Sequence, residues 1–177
     1  SNLPAIYDIL FNFAQSDGFW ANWQTAFGTS YDVVKATQLR QQWQSRNFGQ
    51  IPPIEVLSDE ILGTANGAYS SSTNKIYLSA SFLNTASSAS IVNVILEEIG
   101  HYVDAQINQV DSAGDEGAIF AELVRGNSLD TYTCTCTCTC TCTCTCTCTC
   151  TCTCTCTCTC TCACACTCTY TCTYTYT

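Results

Sequence analysis

A two-residue repeat fills the C-terminal part of the chain. From Thr131 to Thr177 the sequence alternates without losing phase, and this tail holds all 19 cysteines of the protein. Thr fills its odd positions except Ala163 and Ala165, and Cys fills its even positions except for four Tyr. A period of two places one residue type on each face of a β-strand, and no helical periodicity fits it. The sequence therefore predicts that residues 131–177 are β-strand.

The tail lacks the residues that favour tight turns. It has no Gly, Pro, Asn or Asp, and hairpin turns depend on these residue types. Ordinary strands contain about 3 to 10 residues, whereas this segment would span about 155 Å if fully extended at about 3.3 Å per residue. We therefore predict a long extended β-strand, and we do not expect a tight meander.

A lone strand leaves backbone N–H and C=O groups unpaired along both edges, and such edges recruit further strands. High β-propensity without charge, Pro or Gly is typical of cross-β assembly. We expect the tails of several copies to pair in an intermolecular cross-β structure. Parallel in-register strands, about 4.8 Å apart, would bring identical cysteines within the Cα range of about 4.4 to 6.8 Å that a disulfide requires.

The residues predicted to carry this assembly are Cys134, Cys136, Cys138, Cys140, Cys150, Cys160, Cys172, Tyr132, Tyr170, Tyr174 and Tyr176. The four tyrosines bracket the cysteine run, so they either mark its ends or simply fill strand positions. Because a shift of two residues regenerates nearly the same pairing, the repeat fixes the phase of the strands but not their offset.

Other properties of the tail remain open. Thiolates bind soft metals, although an extended strand presents them in a row rather than around one ion. The Thr-x-Thr spacing of about 6.8 Å resembles the Thr-Cys-Thr faces of insect antifreeze proteins, which implies ice binding. Thr-rich tracts also carry O-linked glycan in some proteins. Disorder is disfavoured, because disordered tracts are usually charged or rich in Pro, Gly and Ser.

Residues 1–130 have a different composition, which predicts a separate acidic domain. They carry every charge of the protein, 14 acidic and five basic groups, for a net charge of -9. No basic patch exists to neutralise phosphates, so a nucleic-acid partner is not expected. No run of about 18 apolar residues occurs, so no transmembrane segment is expected. Nineteen cysteines indicate an extracellular or cell-surface location, where disulfides persist.

The order of predicted elements makes this head, residues 1–130, an α+β domain. Apolar spacing predicts one or two helices over residues 5–26, broken near Asp17-Gly18, and Asp32 is placed to cap a further helix. Two short strands around a turn are predicted in GAYSSSTNKIYLS, after a strand in IEVLS. Two closing helices are predicted, the first over residues 90–108.

The first closing helix contains Glu97-Glu98-Ile99-Gly100-His101. This run resembles the His-Glu-x-x-His motif of zincin-type metallopeptidases, in which two His four residues apart bind zinc and the Glu activates water. Asp115-Glu116 and the following helix resemble the closing helix of gluzincins, which supplies a third ligand. The resemblance covers roughly residues 54–126 and implies a degenerate zincin-type domain of bacterial secreted proteins.

Glu97 stands where these peptidases have their first His. The resemblance therefore implies Glu97, His101 and Glu116 as zinc ligands, with Glu98 as the catalytic base only if the head is active. Without the first His, an inactive scaffold is favoured over an enzyme. His101 could instead be an interior His hydrogen-bonded to a neighbouring carboxylate. The acidic loop 111–117 offers enough oxygen atoms for calcium or simply caps the next helix.

These features predict a structural subunit of an extracellular filament. The tail would polymerise with other copies through disulfide or thiol packing, and the head would be an inactive metallopeptidase-like scaffold. Two alternatives remain: a zinc peptidase with an anchoring tail, and an ice- or metal-binding repeat protein. No cofactor is certain, and zinc or calcium in the head are the ions to consider.

Overall fold

The computed structural model of the protein describes residues 2–111, 114–126 and six strands of the tail. It divides into two compact units, Ser1–Arg125 and Gly126–Thr177. The division lies close to the change in composition at residue 130. The described part of the first unit is an α+β domain of seven helices and a three-stranded sheet, which confirms the fold class predicted for the head.

The elements of the head follow one another from Leu3 to Val124. The helices are α1 (Leu3–Gln15), α2 (Phe19–Phe27), α3 (Val33–Gln44), α4 (Asp59–Leu62), α5 (Ala80–Thr85), α6 (Ser88–Ile107) and α7 (Glu116–Val124). The strands are β1 (Ile54–Leu57), β2 (Gly67–Ser70) and β3 (Lys75–Ser79).

Capping residues fix most of these boundaries. Asp32 accepts a hydrogen bond from the backbone N–H of Lys35 at 3.1 Å, so the predicted start of α3 is confirmed. The predicted break near Asp17-Gly18 is also confirmed, because α1 ends at Gln15 and α2 begins at Phe19. The short helices α4 and α5 were not predicted, since four to six residues display no clear helical period.

The head's sheet has the strand order β1-β3-β2. β1 runs parallel to β3 and β2 runs antiparallel to it, which confirms the two short strands predicted around a turn. Asn74 in that turn has a φ of 51°, a backbone conformation that Asn tolerates. β2 packs closely on α6: a Cβ atom added to Gly67 would lie 2.7 Å from Cγ1 of Val94. This contact brings an edge strand beside α6.

An aromatic core holds α7 in place. Phe120 of α7 is 1% exposed, and its ring centroid lies 6.0 Å from that of Phe13, 5.6 Å from that of Phe27 and 6.2 Å from that of Trp43. These rings come from α1, α2 and α3. Because aromatic side chains bury large areas in fixed geometries, the N-terminal helices determine where the first turn of α7 lies.

The second unit contains six short strands in two sheets. They are β4 (Tyr132–Cys136), β5 (Cys140–Cys144), β6 (Cys148–Cys152), β7 (Thr155–Cys160), β8 (Cys164–Cys168) and β9 (Thr171–Tyr176). The sheet orders are β4-β6-β8 and β5-β7-β9, so consecutive strands alternate between the sheets. All pairs are parallel, and Cys134 pairs with Cys150 and Cys150 with Cys166, a shift of 16 residues at each step.

The described tail segments are strands, but they pair within one chain, whereas the sequence predicts one long strand that pairs between chains. The physical reason lies in the repeat: an even shift keeps Thr opposite Thr or Ala, and Cys opposite Cys or Tyr. A chain that pairs with itself therefore satisfies the same pattern as two chains that pair with each other. The intermolecular cross-β structure remains a prediction. Of the predicted assembly residues, Cys138 and Tyr170 lie outside the described part of the tail.

Within the described ranges, no helix combines the length and apolar character that a membrane span requires. This agrees with the expectation, made from the sequence, of no transmembrane segment.

Candidate functional site

α6 carries three of the predicted site residues. Its start is set by Ser87, whose side chain accepts a hydrogen bond from the backbone N–H of Ser90 at 3.2 Å. Glu97 and His101 are four residues apart and therefore share one face of the helix. Glu98 is 6% exposed and accepts a hydrogen bond from the backbone of Tyr69 on β2. The packing of β2 on α6 thus covers this carboxyl group.

α7 brings two more carboxylates to the same place. Asp115 caps the helix by accepting a hydrogen bond from the backbone N–H of Ala118 at 3.0 Å, and Glu116 is buried in the first turn. The two helices touch through glycines: a Cβ atom on Gly100 would lie 2.8 Å from Cα of Gly117. Only residues without a side chain allow this approach, which holds the start of α7 against the middle of α6.

His101 lies between the two acidic residues of α7. Its Nδ1 is 2.8 Å from Oε1 of Glu116, and its Nε2 is 3.8 Å from Oδ1 of Asp115. A neutral ring that donates from Nδ1 to Glu116 keeps a lone pair on Nε2. Metal-binding His residues are typically oriented in this way, with a carboxylate on the nitrogen that does not bind the metal.

Two sets of potential ligand atoms meet at this point. One atom each from Glu97, His101 and Asp115 lie within 4.8 Å of one another, and so do carboxylate oxygens of Asp104, Asp111 and Glu116. The first set offers one nitrogen and two oxygens, which zinc accepts. The second set offers only oxygen, which calcium prefers. The residues present therefore fit the zinc ion that the resemblance implies.

The structure brings Glu97 and His101 together, as the resemblance implied, and it places Glu116 on the other nitrogen of the same ring. The third member of the set with Glu97 and His101 is Asp115. Sequence reasoning treated Asp115 as part of an acidic loop or a helix cap. Its position directly before α7, where the cap faces the preceding helix, is the signal that would have identified it.

Burial makes Glu98 an unusual acid. Burial raises its pKa from 4.5 to about 7, and the charge of Glu97 raises it further, while His101 and the hydrogen bond from Tyr69 oppose the change. A carboxyl group with such a pKa exchanges its proton near neutral pH, which general acid–base catalysis requires.

The pKa values of Glu97 and His101 are also raised. Burial is the main cause for Glu97, followed by the negative charge of Asp115. For His101, burial alone would lower the pKa, but the hydrogen bond to Glu116 and the nearby carboxylates outweigh it. The site therefore holds protons more tightly than the same residues would in an unfolded chain.

A shallow cleft of about 410 Å³ opens beside these residues, and its lining includes Tyr69, His101, Asp104 and Glu116. The rings of Tyr69 and Tyr102 meet edge to face at 5.8 Å. The cleft therefore combines an edge strand, an aromatic wall and the carboxylate–histidine cluster.

No protein-family model, no curated protein and no solved structure matches this chain. The zincin-type resemblance therefore remains a prediction that depends on the residues quoted for it.

Proposed function

We propose that the protein is a structural subunit that assembles with other copies into an extracellular or cell-surface filament through its Thr-Cys tail. The observation that carries this proposal is the parallel register of the tail. Each sheet is a stack of parallel strands, and its first and last strands have no partner strand on their outer edge within the described segments. Open edges of this kind accept further strands.

The repeat makes another copy a suitable partner for those edges. A tail from a second copy presents the same alternation, so it can continue either stack with Cys against Cys and Thr against Thr. The tail carries no charge, so no repulsion opposes this addition. The filament would then have a continuous sulfur-rich face and a continuous hydroxyl-rich face, and the latter would be open to glycan attachment.

In this proposal the head is a metallopeptidase-like scaffold that has lost the first His of the motif. It carries the entire net charge of -9, and like charges on neighbouring heads oppose lateral clumping. The head would thereby keep filaments apart while the tail builds their core.

Sedimentation and negative-stain imaging of the full chain test this proposal. We expect filaments, and we expect the double variant Thr171→Pro/Thr173→Pro to stop growth, because Pro removes two backbone donors from the end strand β9. The matched variant Thr171→Ser/Thr173→Ser keeps those donors and should assemble normally. A full chain that stays monomeric at high concentration, or Pro and Ser variants that assemble equally, would contradict the proposal.

A second candidate function, zinc peptidase, is favoured by the buried Glu98 beside Glu97 and His101. Glu97, His101 and Asp115 would hold the ion, which would supply Lewis acidity to a bound water and a peptide carbonyl. Glu98, with a pKa near 7, is suited to take a proton from water and return it to the leaving amine. Glu116 would keep the ring of His101 oriented through Nδ1.

Cleavage of a denatured protein substrate, with zinc added after chelation, tests the second candidate. If it is right, Glu98→Gln should lower the rate by about 10²- to 10⁴-fold, whereas Glu60→Gln, an exposed residue of α4, should leave it unchanged. A wild-type head that binds zinc but does not cleave, or equal cleavage by both variants, would rule out the enzyme and leave the scaffold.

A further inference from the structure

The register of the tail sorts its described cysteines into columns. We use the word column for residues that pair in register across the three strands of one sheet. Three columns contain three cysteines each: Cys134/Cys150/Cys166, Cys136/Cys152/Cys168 and Cys140/Cys156/Cys172. Three contain two cysteines and one tyrosine: Tyr132/Cys148/Cys164, Cys142/Cys158/Tyr174 and Cys144/Cys160/Tyr176.

The spacing within a column is poorly matched to a disulfide. Neighbouring parallel strands are related by a translation of about 4.8 Å, so corresponding Cβ positions are separated by about the same distance. A disulfide requires Cβ atoms about 3.5 to 4.5 Å apart. Bonding two cysteines of a column would therefore require the backbone to move, although their Cα separation lies within the permitted range.

The same spacing matches two thiolates on opposite sides of one metal ion. Thiolate–metal bonds are about 2.3 Å long, so two collinear bonds separate the sulfurs by about 4.6 Å. A tetrahedral zinc site needs sulfurs about 3.8 Å apart. Four cysteines from two adjacent strands are spaced about 4.8 Å across the strands and about 6.8 Å along them, which is too wide for a tetrahedral site. Soft ligands without a tetrahedral arrangement favour Cu(I).

We propose that the tail binds Cu(I) ions, each held by two cysteines of one column on neighbouring strands. Each Cu(I) replaces the protons of two thiols, so binding releases two protons and leaves one negative charge at the site. A column that ends in tyrosine holds two cysteines and therefore one ion. This property goes beyond self-assembly, because the register that creates it lies within a single chain.

The arrangement in columns gives a test that composition alone would not pass. The variant Cys148→Ser/Cys164→Ser removes both cysteines of one column, whereas Cys142→Ser/Cys148→Ser removes one cysteine from each of two columns. Both variants keep the same number of thiols. We expect the first to bind one Cu(I) ion fewer per chain than the wild type, and the second to bind two fewer.

The full chain is reduced, kept free of oxygen and titrated with Cu(I) in competition with bicinchoninate, with bound copper counted per chain whether or not the chains assemble. Equal losses in the two variants would overturn the assignment to columns. Absence of Cu(I) binding, preference for zinc, or a Cys148–Cys164 disulfide that forms readily in air would overturn the proposal itself. Unequal losses, one ion against two, would support it.

Discussion

The free energy of unfolding of the metal-free head should fall by about 3 kcal/mol between pH 5 and pH 8. The cause is Glu98, whose pKa rises from 4.5 to about 7 on folding. A raised carboxyl pKa means that the folded state binds more protons than the unfolded state between these values. Its contribution to stability is therefore fully present below about pH 4.5 and is lost as the pH rises through about 7. The raised pKa values of Glu97 and His101 act in the same direction.

Urea unfolding of the full chain with a chelator present, followed by tryptophan fluorescence, measures this change, because all three Trp lie in the head. Glu98→Gln should remove most of the dependence on pH and make the head more stable than the wild type at pH 8. Glu60→Gln, on the exposed side of α4, serves as the control and should keep the wild-type slope. A stability that increases from pH 5 to pH 8 would contradict the assigned burial of Glu98.

Gly117→Ala should destabilise the head by about 1 to 3 kcal/mol. The added Cβ atom would lie 2.6 Å from the carbonyl oxygen of Glu97 and 2.7 Å from Nε2 of His101. Helix propensity alone predicts the opposite, since Ala is favoured over Gly by up to about 1 kcal/mol. The steric term should win because the closest atom belongs to the backbone of α6, which cannot rotate away.

Gly49→Ala is the matched control for this substitution. The nearest atom to its new Cβ, Oδ1 of Asn47, would lie 3.5 Å away, so its stability should change by no more than about 0.5 kcal/mol. Gly117→Ala should also displace the ring of His101 and weaken zinc binding, which isothermal titration would detect. Equal stability of the two variants would mean that α6 and α7 are not in the close contact described above.

The sequence predicted the head where local chemistry is decisive. Ser87 and Asp32 mark helix starts through their own side chains, and the turn at Asn74 separates two strands of strong β-propensity. It did not identify Asp115 as a site residue, because the approach of α7 to α6 depends on Gly100, Gly117 and the packing of Phe120 with distant rings. No local pattern encodes that approach.

The tail illustrates the opposite limit. Its period of two predicted β-strand and assigned each residue to a face, which agrees with the strands described. It did not predict where each strand would find its partner, because every even offset aligns the same residue types. The structure shows a shift of 16 residues, and no residue within the Thr-Cys run distinguishes that shift from 14 or 18.

A tail built in this way can change length by whole rungs. Inserting 16 residues of the same alternation would add one strand to each sheet and leave the other pairings as they are. Inserting any odd number would exchange sulfur and hydroxyl on everything downstream. Expansion and contraction of the repeat in even steps are therefore structurally neutral, whereas a single-residue slip inverts the ribbon.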